Sequence, residues 1–531
     1  MKYVLLLLAL LFAFSESPAQ TNYVQTGTLT NTPGIGNFLF GTNVGSTTLT
    51  GSNNILIGIG TGISLSTGST NMFVGQGAGQ VSTTGTRNMF IGYQSGIVNT
   101  TGAYNTFVGQ GTGLTNTVGY SNSFFGTQAG LSNTTGYYNA FIGGDAGYHN
   151  TTGNNNSFIG TSTGYWNTIG SDNSFIGHGT GIRNVTGNEN TFVGAQSGLF
   201  NEVGSSNTFM GYKSGHYSYS GTANVFLGYQ AGILNYSGSN NSFVGYEAGY
   251  SNSYNGYDTY IGYRAGYNAR ADSNTFVGYK SGYTITTGKS NTYFGANSGR
   301  NNVTGSRNTY IGRDAGPLTS GADDNVYIGY ATGQDDQGSQ NTFLGTEAGP
   351  AIGTTERLYN ATALGARSKV SISNAVILGN NANIGIGTSA PVTRLHIVSD
   401  QIDNSGLRLE NLTTKSAVRA NTDQFLTVNE TGDVVKGRYR LKISNSAEWS
   451  DKVFAASYQL MPLEQVANFI KQNQHLPNIP SAETVAKEGI DAVQINTKLL
   501  EKIEELTLYL IEQKQQISQL KQEIADIKLK R

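Results

Sequence analysis

Asparagine recurs four residues before a glycine at Asn54, Asn71, Asn88, Asn105, Asn122 and Asn139 and onward to Asn341, with Asp258 as the one acidic substitute. Stacked Asx columns bind calcium in some repeat folds, but calcium needs about six to eight oxygen ligands and favours carboxylates, which are nearly absent from this register. No metal site is expected. An amide can instead donate to one layer, accept from the next and hold a turn conformation, so the column is expected to be a structural ladder. A second column is phenolic: Tyr212, Tyr229, Tyr246, Tyr263 and Tyr279 each directly follow a glycine, and a looser one at Tyr250, Tyr267 and Tyr283 lies four positions farther on. Aromatic faces exposed in a row offer apolar area with a polar tip, which suits sugar rings or an extended polymer; stacking that merely stabilises the repeat is the alternative. A third rank carries hydroxyls at Thr106, Ser123, Ser157, Thr191 and Thr208. Ice-binding faces use such ranks in T-x-T pairs, whereas the partner position here is Val or Ile. No two carboxylates share a register that would nominate a glycosidase pair, and no nucleotide loop, metal-ligand cluster or triad is visible. The chain is expected to be neither an enzyme nor a cofactor carrier.

What positions these columns is a repeat of 17 residues, running almost without interruption from about Asn37 to Gly349. Its reference glycine falls at Gly75, Gly92, Gly109, Gly126 and Gly143, continues in step to Gly262, and after single-residue losses reappears at Gly278, Gly295, Gly312, Gly329 and Gly345. Further glycines follow at four and ten residues, as at Gly113 and Gly119, and mark turns because glycine accepts positive φ without steric penalty. The intervening runs of Phe, Val, Ile and Thr are too brief for helices and suit strands of about four residues. One repeat is therefore one coil of a β-solenoid, with rungs about 4.8 Å apart.

Within each coil the residue two before the glycine is aromatic (Phe73, Phe90, Phe107, Phe124) and the residue one before it is aliphatic (Val74, Ile91, Val108, Ile142). Neighbours in a strand face opposite sides, and a solenoid has one interior. Either rank, placed outside, makes an apolar stripe far larger than the few hundred Å² that soluble monomers commonly expose. Several copies are expected to pack along it.

Composition fits an exported, folded chain. Charged residues make up only 12% of the 531, yet aromatics reach 11%, too many for disorder. A net charge of -1, with Lys and Arg scattered through the repeats, offers no field for nucleic acid. Residues 1–20 have the charged start, apolar core and small-residue end of a secretory signal, too short to span a membrane, and no later stretch approaches twenty apolar residues. With no cysteine, disulfides and thiolate metal sites are excluded. The expected location is outside the cell or on its surface.

The last coils shorten. Asn360-Ala-Thr-Ala-Leu-Gly and Asn374-Ala-Val-Ile-Leu-Gly, 14 residues apart, resemble the head repeats of YadA-like trimeric autotransporter adhesins. That resemblance implies a trimeric parallel β-roll and adhesion; the 17-residue units fit it more loosely, and the family's C-terminal membrane anchor has no counterpart here. The segment from Asn383 through Pro391 to Val398 is similar to shaft-to-stem junctions of phage tail fibres, and strands are expected at 407–412 and 425–428, with a hairpin turn at 429–433. Near Leu441 glycine becomes scarce and charge rises. Trp449-Ser-Asp-Lys-Val-Phe, Tyr458-Gln-Leu-Met-Pro and His475-Leu-Pro-Asn-Ile-Pro resemble the C-terminal domain of Bacteroidetes tail-fibre-like secreted proteins, distantly similar to the intramolecular chaperone of endosialidase-type tail spikes. The resemblance implies assisted trimerisation and, through a Ser-Asp pair, self-cleavage; Ser450 and Asp451 are the local candidates. A hydroxyl beside a carboxylate can be activated as a nucleophile. The adjoining basic pattern of cleaving members is missing, however, and a solvated turn explains the pair equally well. His475 is expected to be structural.

Finally, Leu499, Ile503, Leu506, Leu510, Gln513, Ile517, Leu520, Ile524 and Ile527 alternate at spacings of four and three, a coiled-coil seam. Ile at three of four a positions, with Leu and one Ile at d, admits trimers, and Gln513 would fix register. A single helix docked on its own stem is the alternative. The expected organisation is a signal peptide at 1–20, a β-solenoid shaft at 21–390, a β stem at 391–440, a chaperone-like domain at 441–498 and a coiled coil at 499–531. The expected function is that of a secreted or cell-surface homotrimeric, adhesin-like fibre that meets a surface glycan or extracellular polymer. An ice-binding solenoid and a carbohydrate-binding tail fibre with a self-cleaving chaperone are the alternatives.

Overall fold

The computed structural model describes residues 23–24, 34–316, 321–354, 356–401, 406–410, 424–438 and 449–530. The expected signal segment at 1–20 lies outside them. The chain divides into two compact units, Met1–Leu407 and Arg408–Arg531.

The first unit is a β-solenoid. Each coil contributes one strand to a 22-stranded sheet, and neighbouring strands such as Thr106–Val108 and Ser123–Phe125 pair in parallel, one repeat apart. The strands are three residues long rather than four, because the reference glycine ends them. At Gly109 φ is +142°, and a Cβ there would meet the Gly126 carbonyl oxygen at 2.4 Å. Only glycine permits the coils to close on one another at that corner.

Strand alternation decides which rank is inside. The aromatic rank is fully buried from Phe73 to Phe343, and successive rings stack face to face, Phe107 on Phe124 at 4.8 Å and 7°. The aliphatic rank points outward, with Ile142 43% and Phe294 57% exposed, and the Thr/Ser rank shares that outer face. An aromatic column thus runs through the interior from Phe73 to Phe343, with Leu39 and Leu56 before it and Ala363 after it in the same register. Gly113 lies against it with φ +57°, where a Cβ would stand 2.5 Å from the Phe107 ring.

The expected asparagine ladder is present and buried. Asn105 donates its backbone N–H to Asn88 Oδ1 at 2.9 Å and its side-chain amide to the Gly119 carbonyl at 2.8 Å, and its Oδ1 accepts from Asn122 N–H at 3.0 Å. A second ladder, not anticipated from the sequence, runs nine residues after most of the interior rings: Asn116 donates to Asn99 Oδ1 at 2.6 Å, Asn133 to Asn116 at 2.7 Å and Asn150 to Asn133 at 2.8 Å. Together the ladders satisfy the polar groups of turns that carry no strand pairing. The two 14-residue coils continue the sheet in the same register, Thr362 opposite Val376. Beyond them Ile384–Ile386 pairs in parallel with Leu395–Ile397.

In the second unit Gln424–Val428 and Val434–Arg438 form the expected hairpin, whose turn is tied by Asn429 Oδ1 accepting from Asp433 N–H at 2.8 Å. Residues 406–410 carry no strand, and the rest of the strand expected at 407–412 lies outside the described residues. A 3-10 turn at Ser450–Phe454 precedes helix α1, Leu463–Asn473, which stops at left-handed Gln474. Helix α2, Ala482–Glu488, is capped by Ser481, and helix α3, Ala492–Leu529, by Asp491, whose carboxylate accepts from Val493 and Gln494 N–H. Each cap satisfies first-turn donors that a helix leaves orphaned.

Candidate functional site

The five tyrosines that follow the reference glycine lie on the outside of the solenoid. Tyr212, Tyr229, Tyr246, Tyr263 and Tyr279 stack rung on rung, with centroids 5.5, 4.9, 5.2 and 5.3 Å apart and planes within 23°. Their faces are therefore turned to one another, and solvent meets ring edges and hydroxyls. This differs from the expected row of exposed faces, because the rung spacing is itself a ring-stacking distance. Tyr250, Tyr267 and Tyr283 form a parallel stack at 4.8 and 5.2 Å.

Two cations stand between the two stacks and a third stands against the first stack alone, a feature missed in the sequence. Arg264 lies 5.2 Å from the Tyr263 centroid and 5.4 Å from that of Tyr267, Lys280 lies 5.1 Å from Tyr279 and 5.8 Å from Tyr283, and Lys213 lies 5.2 Å from Tyr212. All three occupy a left-handed position two residues after the glycine; Arg264 and Lys280 each reach a ring of both columns, whereas Lys213 meets Tyr212 alone. The signal was available as a register of its own, but the position carries no single residue type. Glu247 fills it in one rung and binds Arg264 at 2.6 Å, which holds the guanidinium above its ordinary range. Desolvation first, then the Glu247 carboxylate, raises the Tyr246 phenol. The Tyr246 phenol therefore remains a donor at neutral pH.

An aromatic cluster earlier in the solenoid was also missed. Tyr148 stacks on Tyr165 at 4.9 Å, His149 on Trp166 at 4.0 Å, and Trp166 is 45% exposed.

In the second unit Ser450 is fully buried and donates to Glu504 Oε1 at 2.9 Å, whereas Asp451 is exposed. The side chain paired with Ser450 is thus on α3, 54 residues away, and not its neighbour. His475 is half-buried, packed edge-on against Phe469 at 5.6 Å. Helix α3 carries all nine seam residues, and every one of them is exposed. Its buried residues are Thr497, Glu501, Glu504, Glu505 and Tyr509. They are fixed by Lys452 on Glu501 at 3.1 Å, by Tyr458 and Lys502 on Glu505, and by the Tyr509 hydroxyl donating to the Met461 carbonyl. Burial, and then the Glu505 bond, pushes the Tyr458 phenol upward. Beside these contacts a cavity of about 500 Å³ is walled by Met461, Leu463, Leu476 and the first seam residues Leu499, Ile503 and Leu506.

Among the described residues no cluster of His, Cys, Asp or Glu could hold a metal ion, and no helix is long and apolar enough to cross a membrane. No family model, curated protein or solved structure matches the chain.

Proposed function

We propose that the chain is the subunit of a secreted or cell-surface homotrimeric fibre, adhesin-like in role, whose C-terminal unit drives assembly and whose coils present the recognition surface. The observation that carries this reading is the orientation of α3. A helix docked on its own domain buries its apolar stripe, but α3 buries carboxylates and a phenol and leaves Ile503, Leu510, Ile517 and Ile524 in solvent. The seam is then complementary to copies of itself, and isoleucine at three of its four a positions admits three strands. The outward aliphatic rank of the solenoid supports the same conclusion at a second place. The resemblance of the last coils to trimeric adhesin heads agrees with that number. No catalytic step is proposed, because Ser450 serves as the buried fastening of the 3-10 turn to α3.

Light scattering on the size-fractionated full chain tests the proposal. A mass near three times that of one chain is expected, and Ile503→Asp with Ile517→Asp is expected to reduce it to one. A monomer at micromolar concentration in the unaltered chain would sink the reading.

A further inference from the structure

We propose that the tyrosine column of the Gly211 to Gly278 rungs, doubled from the Gly245 rung onward, is a binding site for an anionic polysaccharide, one bearing carboxylate or sulfate groups along an extended chain. The proposal rests on the reading of the coils as a recognition surface and names the ligand class they take.

Three observations lead to it. First, the stacked rings present edges, and the edge of an aromatic ring is the positive pole of its quadrupole, so the columns turn their cation-like side and their hydroxyl donors toward solvent. An edge-out ladder is poorly suited to stacking on neutral sugar faces and well suited to oxygen-rich, negatively charged groups. Second, the cations coincide with the tyrosines. In earlier rungs the position two residues after the glycine carries Gln128, Asp145, Ser162 and Gln196; in the five tyrosine rungs it carries Lys213, Gln230, Glu247, Arg264 and Lys280, three of them cations. Arg300 occupies the next rung of the Tyr250–Tyr267–Tyr283 column and is exposed. Four cations stand there against the single carboxylate Glu247, in a chain whose net charge is -1. Third, the site is periodic. Donors repeat at the rung spacing along a straight line, so a polymer whose charged units recur at a comparable interval meets one set of donors per rung. Glu247 leaves Arg264 partly neutralised, which places most of the free positive charge at the two ends, Lys213 on one side and Lys280 with Arg300 on the other. The ligand must therefore reach across several rungs, and a short acid would gain little from the ribbon.

Nucleic acid is the less favoured polyanion. Duplex DNA carries one charge per roughly 1.7 Å of axis, far denser than the donors offered here, and its binding depends on many phosphate contacts. The ribbon's spacing suits a sparser charge.

Binding of the full chain to immobilised alginate, with neutral dextran and duplex DNA as controls, tests this directly. The chain is expected to be retained on alginate at low salt and released as salt rises, and not to bind dextran. The variant Lys213→Gln, Lys280→Gln, Arg300→Gln is expected to lose affinity by about tenfold or more, as removal of charge contacts dictates. Glutamine suits the left-handed position, since Gln230 and Gln196 occupy it in neighbouring rungs. A variant that binds as well as the unaltered chain, equal retention of dextran, or DNA bound as tightly as alginate would each overturn the proposal. The mass of the same samples separates the two readings: the ribbon lies within one chain, so a monomer that binds alginate refutes the trimer alone, and a trimer that does not bind it refutes the ribbon alone.

Discussion

The asparagine ladders turn each coil's unpaired corner into a hydrogen-bonded one, and their consequences are sharpest where the pattern breaks. Asp258 replaces an amide in the first ladder. Its carboxylate accepts from Asn274 N–H and from the Asn252 amide, both at 2.8 Å. Those bonds favour the charged form, but burial outweighs them and pushes the carboxyl up to about 7. A folded-state value above the ordinary 3.8 of a free aspartate means that the folded chain binds the proton more tightly than the unfolded one. The stabilisation is complete below about pH 4 and is lost as pH rises toward and through 7. Asp258→Asn is expected to abolish this slope and to raise the thermal midpoint at pH 8, measured by circular dichroism at several pH values; an unchanged slope refutes the assignment. Asn150→Ala, in the second ladder, strands Asn133 Oδ1 and is expected to cost about 1–3 kcal/mol, as an unpaired buried polar group does. The first ladder was legible because its residue type hardly varies. The second was not: Ser82, Ser218, Ala269 and Ile285 interrupt it, and the interior tolerates them because neighbouring rungs still close the turn.

At the scale of elements, the helix of α3 and the apolar stripe along it were legible from spacing alone, since alternation by four and three is independent of what the helix touches. Its opposite face was not, because Glu501, Glu504 and Glu505 read as solvent-facing charges until Lys452, Ser450 and Tyr458 are brought against them by the fold. The two faces predict different failures. Ser450→Ala removes the Glu504 partner and leaves a buried carboxylate without it; the expected effect is destabilisation of the C-terminal unit by about 1–3 kcal/mol with the seam intact. Leu506→Asp is expected to do the reverse, separating copies while helix content at 222 nm is largely kept. Hydrogen exchange across 449–454 distinguishes them: faster exchange there in Ser450→Ala and little change in Leu506→Asp. Equal loss of helix in both variants would mean that α3 has no separate docking and assembly faces. The strands show the same division. That phenylalanine and valine or isoleucine face opposite ways follows from period two, but the alternation alone leaves open which one is inside; in the fold the ring lies against Gly113, where a Cβ would stand 2.5 Å from it.

For the solenoid as a whole, stability accumulates from one coil to the next, because each rung touches only its neighbours. A change confined to the outer face of a few rungs should therefore leave the stack standing. Ile142, Ile159 and Ile176 are consecutive members of the outward rank, between 37% and 43% exposed. In Ile142→Lys, Ile159→Glu, Ile176→Lys the new charges alternate in sign at a separation of about 4.8 Å, so they attract weakly along the stack instead of repelling. If the rank meets water in the assembled fibre, such surface exchanges are worth within about 0.5 kcal/mol each, and the dissociation temperature is unmoved. If copies pack along it, three buried charges must be desolvated at the interface, and the triple variant is expected to dissociate at a clearly lower temperature by light scattering while its β signal at room temperature is preserved. Comparison with the seam variant Ile503→Asp, Ile517→Asp then apportions the assembly. Should the seam variant alone yield monomers, the helix drives association and the coils only align; should both be needed, the apolar rank is an interface in its own right, which is what its length along the sheet argues.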